Sequence, residues 1–137
     1  MFGAMLFLLN KNHHRYLNDN FKKFDINVIQ GLILLTLSEH PEMSQKDLGG
    51  LLNLSKGSIA KYLADLEEKG FISRRKLEDN KRKYQIILED KSIKLIPDLR
   101  AISKDWENQA GLTNLNPEFV NDFKKILDNS SKLLEGE

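Results

Sequence analysis

The sequence predicts a mainly α-helical protein that contains one two-stranded β-hairpin. Apolar residues recur at steps of three and four along most of the chain, which is the spacing of one helix face. The period changes to alternation between Phe71 and Leu88, where two short runs flank a polar turn. We expect one domain over residues 1–137, because no internal repeat, low-complexity tract or Pro/Gly/Ser-rich linker interrupts the chain.

The first helix is predicted over residues 1–24, where apolar residues from Phe2 to Phe24 form a stripe at helical spacing. That stripe is wider than one small domain needs, so a partner chain can cover the excess. Asp25 is the predicted N-cap of a second helix from Ile26 to about Ser38. This helix is apolar nearly all round and is therefore expected at the centre of the core.

Two short helices are predicted next. Ser44 to Asp47 resembles a capping box, and Leu48, Leu51 and Leu52 follow it on one face. After a tight turn, Ser55 caps a helix from Lys56 to Lys69, which is expected to point Ile59, Leu63 and Leu66 inward. Gly70 occupies the position of a left-handed C-cap, and Phe71 supplies the hydrophobic contact that accompanies such a cap.

The hairpin is predicted from the strands Phe71–Leu77 and Lys83–Leu88, joined by the polar turn Glu78–Arg82. On the second strand, Tyr84, Ile86 and Leu88 share one face. A long helix capped around Asp90 follows, with a bend expected at Pro97. Asn116, Pro117 and Glu118 then supply an N-cap, an N1 proline and a first-turn acid for an apolar-striped last helix.

The composition excludes several kinds of chemistry. The 137 residues carry 21 Lys+Arg, 20 Asp+Glu and no cysteine, so the formal net charge is only +1. Without thiols there is no disulfide framework, thiolate zinc site, iron–sulfur cluster, catalytic cysteine or thiol-based oxidation sensor. The apolar start is far shorter than the roughly 20 residues that span a bilayer and lacks the features of a signal peptide. We expect a cytoplasmic protein that contacts no membrane.

The predicted order of helix, short helix, turn, short helix and hairpin is that of a winged helix-turn-helix, a module that docks on DNA. The residues that carry this pattern are Met43–Leu48, Leu54–Leu63 and Asp65–Arg74. With one helix before the module and two after it, the chain resembles the multiple antibiotic resistance regulator (MarR) family of transcription factors. The resemblance implies a winged-helix lobe over residues 25–89 and N- and C-terminal dimerisation helices over 1–24 and 90–137.

The charge is distributed unevenly in a way that fits this resemblance. Between Gln45 and Gln85 there are ten basic and six acidic side chains, a balance of +4, whereas the rest of the chain carries −3. A basic module joined to an acidic one is the electrostatic pattern of a DNA reader on a dimerising frame.

The candidate DNA-binding residues lie on the short helices and on the hairpin. Side chains in the first two turns of a recognition helix usually reach base edges, and arginine and lysine on a wing suit phosphates or a minor groove. We predict DNA contacts from Lys46, Lys56, Gly57, Ser58, Ala60, Lys61, Arg74, Arg75, Lys76, Lys81, Arg82 and Lys83.

The resemblance also implies that a small aromatic or phenolic anion binds between the dimerisation helices and the DNA-binding lobe. His13, Arg15 and Tyr16 can line such a site, because an anion needs a cationic donor and a polar ring edge. The alternative, that they are ordinary surface polar residues, stays open. No metal site and no cofactor are expected, since His13 and His14 are adjacent and project on different sides of a helix.

These observations predict a homodimeric transcriptional regulator, a repressor that binds a pseudo-palindromic double-stranded operator and is released by a small effector. The first alternative is a winged-helix protein–protein adaptor that does not bind DNA. The second is a small enzyme, which the sequence disfavours because it shows no phosphate loop, nucleophile elbow or paired carboxylates.

Overall fold

The structure is a computed structural model that describes residues 1–78 and 80–135, and for residues 80–83 the backbone alone. The predicted mainly helical architecture with one hairpin is confirmed. The elements in chain order are α1 (Phe2–Phe21), a 3-10 turn (Lys22–Phe24), α2 (Val28–Glu39), α3 (Gln45–Leu51), α4 (Lys56–Glu68), β1 (Ile72–Leu77), β2 (Asn80–Leu88), α5 (Asp90–Ala110) and α6 (Pro117–Glu135). They form two compact units, residues 1–103 and 104–137.

The core of the first unit is built around α2, as predicted. Ile33, Leu34 and Leu37 of this helix are at most 1% exposed. Gly31 allows α1 to approach closely, because a β-carbon at this position would overlap the ring of the buried Phe21. The core is completed by α1, α3, α4, the hairpin and α5, through Leu17, Leu48, Ile59, Leu63, Leu66, Phe71, Ile72, Ile86, Ile96 and Leu99.

The predicted N-cap of α2 at Asp25 is wrong. The cap is Asn27, whose Oδ1 accepts from Gln30 N–H at 2.8 Å while Gln30 Oε1 accepts from Asn27 N–H at 3.1 Å. This reciprocal pair satisfies two N–H groups that a helix start leaves unpaired. Asp25 instead ends the preceding 3-10 turn with a left-handed backbone (φ 63°).

The predicted caps of the two short helices are confirmed. Ser44 and Asp47 exchange hydrogen bonds at the start of α3, and Ser55 Oγ accepts from Ser58 N–H at 3.1 Å at the start of α4. Gly70 (φ 82°) ends α4, with Gly70 N–H donating to Glu67 C=O and Phe71 N–H to Leu66 C=O. These two hydrogen bonds together form a Schellman motif.

Leu51, predicted on one face with Leu48 and Leu52, is 58% exposed. The buried face of α3 is centred between Leu48 and Gly49, which packs against Ile59. At 100° per residue, Leu51 lies about 110° from that centre.

The hairpin is longer than predicted. Its antiparallel register pairs Ile72 with Leu88 and Lys76 with Tyr84, and an irregularity follows before Leu77 pairs with Asn80. The predicted turn Glu78–Arg82 is therefore wrong at its end, since β2 begins at Asn80 rather than Lys83. Alternation of apolar side chains stops near Tyr84, but strand pairing is made by backbone groups and continues past it.

The start of α5 is tied to the first strand. Ser92 Oγ donates to Phe71 C=O at 2.6 Å, and Glu89 N–H donates to the same carbonyl oxygen at 3.0 Å. Asp90 is the first residue of the helix rather than its cap, because the carbonyl oxygen of Glu89 accepts the first helical bonds, from Ser92 and Ile93. The helix continues through Pro97.

The second unit contains α6, whose start is capped as predicted: Asn116 Oδ1 accepts from Glu118 N–H at 2.9 Å. The apolar stripe of α6 is exposed along its whole length, from Phe119 to Leu134, and so is the apolar stretch of α1 from Phe2 to Leu9. None of the helices in the described part of the chain is long and apolar enough to cross a membrane.

Candidate nucleic-acid interface

The helix pair α3 and α4 is joined by a tight turn. Asn53 adopts a left-handed backbone (φ 53°), and Leu54 N–H donates to the carbonyl oxygen of Gly49 at 2.8 Å. A β-carbon at Gly49 would lie 3.5 Å from Ile59, so α4 packs close to α3 at this point while leaving room for a methyl group. The turn fixes the orientation of α4 on the core.

One face of α4 is buried and the opposite face is open. Ile59, Leu63 and Leu66 are at most 2% exposed, as predicted. The accessible surface of α4, called its outer face below, comprises the exposed Lys56 in the first turn, the exposed Gly57 and Lys61, and the half-buried Ser58 and Ala60. A β-carbon at Gly57 would meet nothing within 4 Å.

The two lysines of that face have no anionic partner among the described residues, because no carboxylate there forms an ion pair with Lys56 or Lys61. Lys46, the second residue of α3, is exposed in the same way. The Ser58 hydroxyl accepts from Ser55 Oγ at 2.9 Å and keeps its own O–H as a donor. The face therefore offers two uncommitted cations beside small side chains.

The hairpin of β1 and β2 is the wing of the module, and its basic residues either bind other elements of the protein or face solvent. Arg74 joins three elements, because its Nε donates to Glu67 Oε2 at 3.3 Å and its Nη1 to Gln45 Oε1 at 3.2 Å. Arg75 is exposed, and Lys76 is exposed with its ammonium 5.8 Å from the ring centre of Tyr84. The side chains of the predicted Lys81, Arg82 and Lys83 lie outside the described residues.

A polar network that the sequence did not predict lies between α2 and α4. The side chain of Gln30, 3% exposed, donates from Nε2 to Asp65 Oδ2 at 2.6 Å. Lys69 Nζ lies 3.1 Å from Asp65 and 3.3 Å from Asp25. These contacts connect α2 to α4 directly.

Hydrogen bonds set the pKa values in this network. The bond from Gln30, followed by that from Lys69, holds the pKa of Asp65 below its ordinary value. The bond to Asp65 in turn raises the pKa of Lys69. The signal that could have revealed the network is Gln30 itself, a polar residue inside an otherwise apolar central helix.

The predicted effector residues occupy one stretch of α1. His13 and Tyr16 are half-buried and Arg15 is exposed; Tyr16 packs against the core, and the rings of His13 and His14 meet edge to face at 6.3 Å. Among the described residues, no group of three or more His, Asp or Glu side chains could hold a metal ion.

Comparison with known proteins shows similarity to the MarR family. Residues 26–84 match the model of that family. A relative from Staphylococcus haemolyticus, the HTH-type transcriptional regulator SarZ, is 24% identical over 92% of this chain and 86% of its own length. The predicted resemblance is thereby confirmed.

The fold agrees with this family over almost the whole chain. A MarR transcriptional regulator from Methanosarcina mazei Go1 has a TM-score of 0.86 at 23% identity, covering 96% of this chain and 97% of its own. Staphylococcus aureus MepR, in a structure of its complex with DNA, has a TM-score of 0.84 at 22% identity, covering 98% and 96%. At these identities the two structures show that the chain shares the fold of MarR regulators.

Proposed function

We propose that this chain is a transcriptional regulator of the MarR family that binds a specific double-stranded DNA operator through the outer face of α4. The observation that carries the proposal is the division of that helix into an apolar inner face and an outer face with Lys56 and Lys61 uncommitted. Lysine can donate to guanine O6 and N7, serine can bond to any base pair, and an alanine methyl can contact the thymine methyl. Gly57 gives the backbone room to approach the groove.

The wing supplies contacts that fix the position of the protein on the DNA but do not read the base sequence. We assign phosphate contacts to Arg75 and Lys76, which are exposed on β1, and to Lys46 on α3. Lys81, Arg82 and Lys83 remain predicted contacts, with Arg82 directed to a minor groove. Arg74 serves the interface by holding the wing against α3 and α4, because its partners Gln45 and Glu67 belong to those helices.

A homodimer would place two such faces on one operator. The apolar stripes of α1 and α6 are exposed in the single chain, and an apolar surface of this extent marks a protein interface. A two-fold dimer reads a pseudo-palindrome with half-sites about one helical turn apart. The related MepR is seen in a complex with DNA, which supports the same partner for this chain.

Regulation in this proposal is repression that a small organic anion relieves. The anion would favour a conformation of the dimer that binds DNA poorly, so operator affinity would fall as the ligand accumulates. His13, Arg15 and Tyr16 remain the residues that the sequence proposes for this ligand. The protein remains in the cytoplasm in this scheme, where its operator lies.

Selection of bound fragments from random DNA, followed by affinity measurements with the purified chain, tests the proposal. Lys61→Ala should change the base preference at one position of each half-site, because bidentate contacts to bases carry the discrimination. Lys94→Ala is the matched control, since Lys94 is an exposed lysine of α5 outside the proposed interface. Failure to retain any DNA fragment at low salt would favour the protein–protein adaptor instead.

A further inference from the structure

The C-terminal end of α4 is bonded to the first turn of α5, at the point where the hairpin begins and ends. Lys91, the second residue of α5, donates from Nζ to the carbonyl oxygen of Lys69 at 2.9 Å. The same ammonium lies 4.2 Å from the ring centre of the buried Phe71, a distance at which an aromatic ring attracts a cation. Phe71 C=O also accepts the two hydrogen bonds from Glu89 N–H and Ser92 Oγ. These contacts together join the end of α4 to the start of α5.

The position of Lys91 is unfavourable for its own helix and favourable for α4. A positive charge in the first turn of a helix opposes the helix dipole, whereas a positive charge at the C-terminal end of a helix is stabilised by its carbonyl groups. In α4 the Schellman motif uses the carbonyl oxygens of Leu66 and Glu67, and the carbonyl oxygen of Lys69 accepts from Lys91. The stabilising interactions of this lysine are therefore made with the end of α4 rather than with α5.

The surface proposed to read DNA begins at the other end of α4. The helix has 13 residues, so it is about 20 Å long. Lys56 is in its first turn, whereas Lys91 holds the residue that follows its last. A tilt of about 5° about the held end displaces the first turn by about 1.7 Å, which is half the rise of about 3.4 Å between base pairs. Contacts at the C-terminal end of α4 therefore control where its outer face meets the bases.

We propose that Lys91 is a positioning residue: by holding the end of α4 on α5, it sets the spacing between the two reading faces of the proposed dimer. This inference rests on the proposed function, in which α4 reads the operator and the predicted dimerisation helices after the hairpin begin with α5. Without the ammonium, α4 tilts more freely on the core, so the dimer accepts a wider range of half-site spacings. Recognition of the bases within one half-site stays with the outer face of α4.

Operators whose half-sites are moved closer together or further apart by a single base pair test this role. The quantity measured is the ratio of the dissociation constant for a shifted operator to that for the optimal operator. Lys91→Met keeps the aliphatic part of the side chain over Phe71 and removes the ammonium. We expect the ratio to be at least about threefold smaller in Lys91→Met than in the wild type, a change within the net contribution of one hydrogen bond.

Two further variants separate positioning from stability. Lys94→Met is the matched control, since Lys94 is an exposed lysine of the same helix, and it should keep the wild-type ratio. Lys91→Arg should also keep it, because a guanidinium can donate to the same carbonyl oxygen and stack on Phe71. A contact that only stabilises the fold would lower the free energy of unfolding in Lys91→Met and leave the ratio unchanged. That result, or an equal fall of the ratio in Lys94→Met or Lys91→Arg, would overturn the proposal.

A distance measurement without DNA distinguishes failure of this role from failure of the proposed function. The chain has no cysteine, so spin labels can be attached specifically at Gly57→Cys and Asp98→Cys, two exposed positions on α4 and α5. With excess unlabelled chain present, the distribution of distances between the two labels should be broader when Lys91→Met is added. If the chain binds no DNA, the proposed function fails, and the broader distribution still shows that Lys91 holds α4 on α5. An unchanged distribution would overturn the positioning role whether or not the chain binds DNA.

Discussion

Replacement of Gln30 by Glu tests how α4 is held on α2. The Gln30 Oε1 accepts from Asn27 N–H at 3.1 Å, and its Nε2 donates to Asp65 Oδ2 at 2.6 Å. Glutamate has nearly the same shape and keeps the acceptor for Asn27, so Gln30→Glu removes only the donor to Asp65. Two carboxylates then face each other between the helices, with Lys69 as the compensating charge.

The expected loss of stability follows from the burial of this pair. Leaving a buried charge without its partner costs about 3–5 kcal/mol. The Asp65 side chain is 43% exposed and Lys69 lies 3.1 Å away, so water and the ammonium both reduce the repulsion. We therefore expect Gln30→Glu to lower the free energy of unfolding by about 3 kcal/mol at pH 7, the low end of that range.

The pH dependence gives the sign of the effect. A second carboxylate beside Asp65 raises the pKa of the introduced group, so its cost is present at pH 7 and disappears as the pH falls toward the ordinary glutamate value of about 4.3. In the wild type the pKa of Asp65 is lowered, so its contribution is present above the ordinary aspartate pKa and is lost as the pH falls through the folded value. Both effects reduce the difference in free energy of unfolding between the wild type and Gln30→Glu as the pH falls.

Urea denaturation followed by circular dichroism, at pH 7 and pH 4.5 and at one protomer concentration, measures these differences. The control is Asp65→Asn combined with Gln30→Glu, which exchanges donor and acceptor and restores the hydrogen bond. We expect a coupling energy of about 2 kcal/mol in the double-mutant cycle. Additive single effects, or a difference that does not change with pH, would refute the role assigned to this contact.

Three further predictions concern the wing, the core and the dimer. Arg75→Ala and Arg82→Ala should each make the slope of log K against log salt shallower by the contribution of about one phosphate contact. Each should also weaken binding to all DNA sequences alike. Gly31→Ala should lower the free energy of unfolding by about 2 kcal/mol, because the added methyl group overlaps the ring of Phe21 in a packed core. Leu127→Asp should shift the protein from dimer to monomer in sedimentation velocity, since a charge at the centre of the exposed stripe of α6 opposes its burial.

The predictions for Gly31 and Leu127 each have a matched control in the same chain, and the wing prediction has a contradicting outcome. An unchanged salt slope in Arg75→Ala would remove that residue from the interface. Gly50→Ala lies in α3 with open space at its β-carbon, so it should stabilise by up to about 1 kcal/mol, and a loss as large as that of Gly31→Ala would contradict the steric reason. Asn129→Asp adds the same charge about 200° around α6 from Leu127. Equal dissociation in both α6 variants would argue against an interface along the stripe.

The sequence predicted the elements whose signals are local. Ser55 and Gly70 delimit α4 because their side-chain and backbone preferences act on the nearest hydrogen bonds, and the structure has both bonds in place. The start of α2 was placed at the wrong residue because Asp25 and Asn27 both have cap-forming side chains. Asn27 caps the helix because Gln30, three residues later, completes the reciprocal pair.

The candidate site was predictable only in part, since its polar contacts join residues far apart in the chain. Gln30 and Asp65 are 35 positions apart, and Arg74 and Gln45 are 29 apart. Basic residues on the wing could be identified by type, but whether each one faces DNA or holds the wing depends on these long-range partners. A cavity lined in part by Leu37, Ile87 and Arg100 was not predicted for the same reason, because its walls come from α2, β2 and α5.

The near-neutral net charge is compatible with DNA binding because internal ion pairs take up some charges of the winged-helix module and leave an excess of basic side chains. Of its ten basic side chains, Lys69 pairs with Asp65 and Arg74 with Glu67, both at positions that join elements. Removing these two pairs leaves eight basic and four acidic side chains between Gln45 and Gln85. Each phosphate contact contributes about −0.9 to the salt slope, so one protomer cannot exceed a slope of about −7. In the proposed function, non-specific affinity is thereby limited, and discrimination would rest on the α4 face and on the spacing that dimerisation would impose.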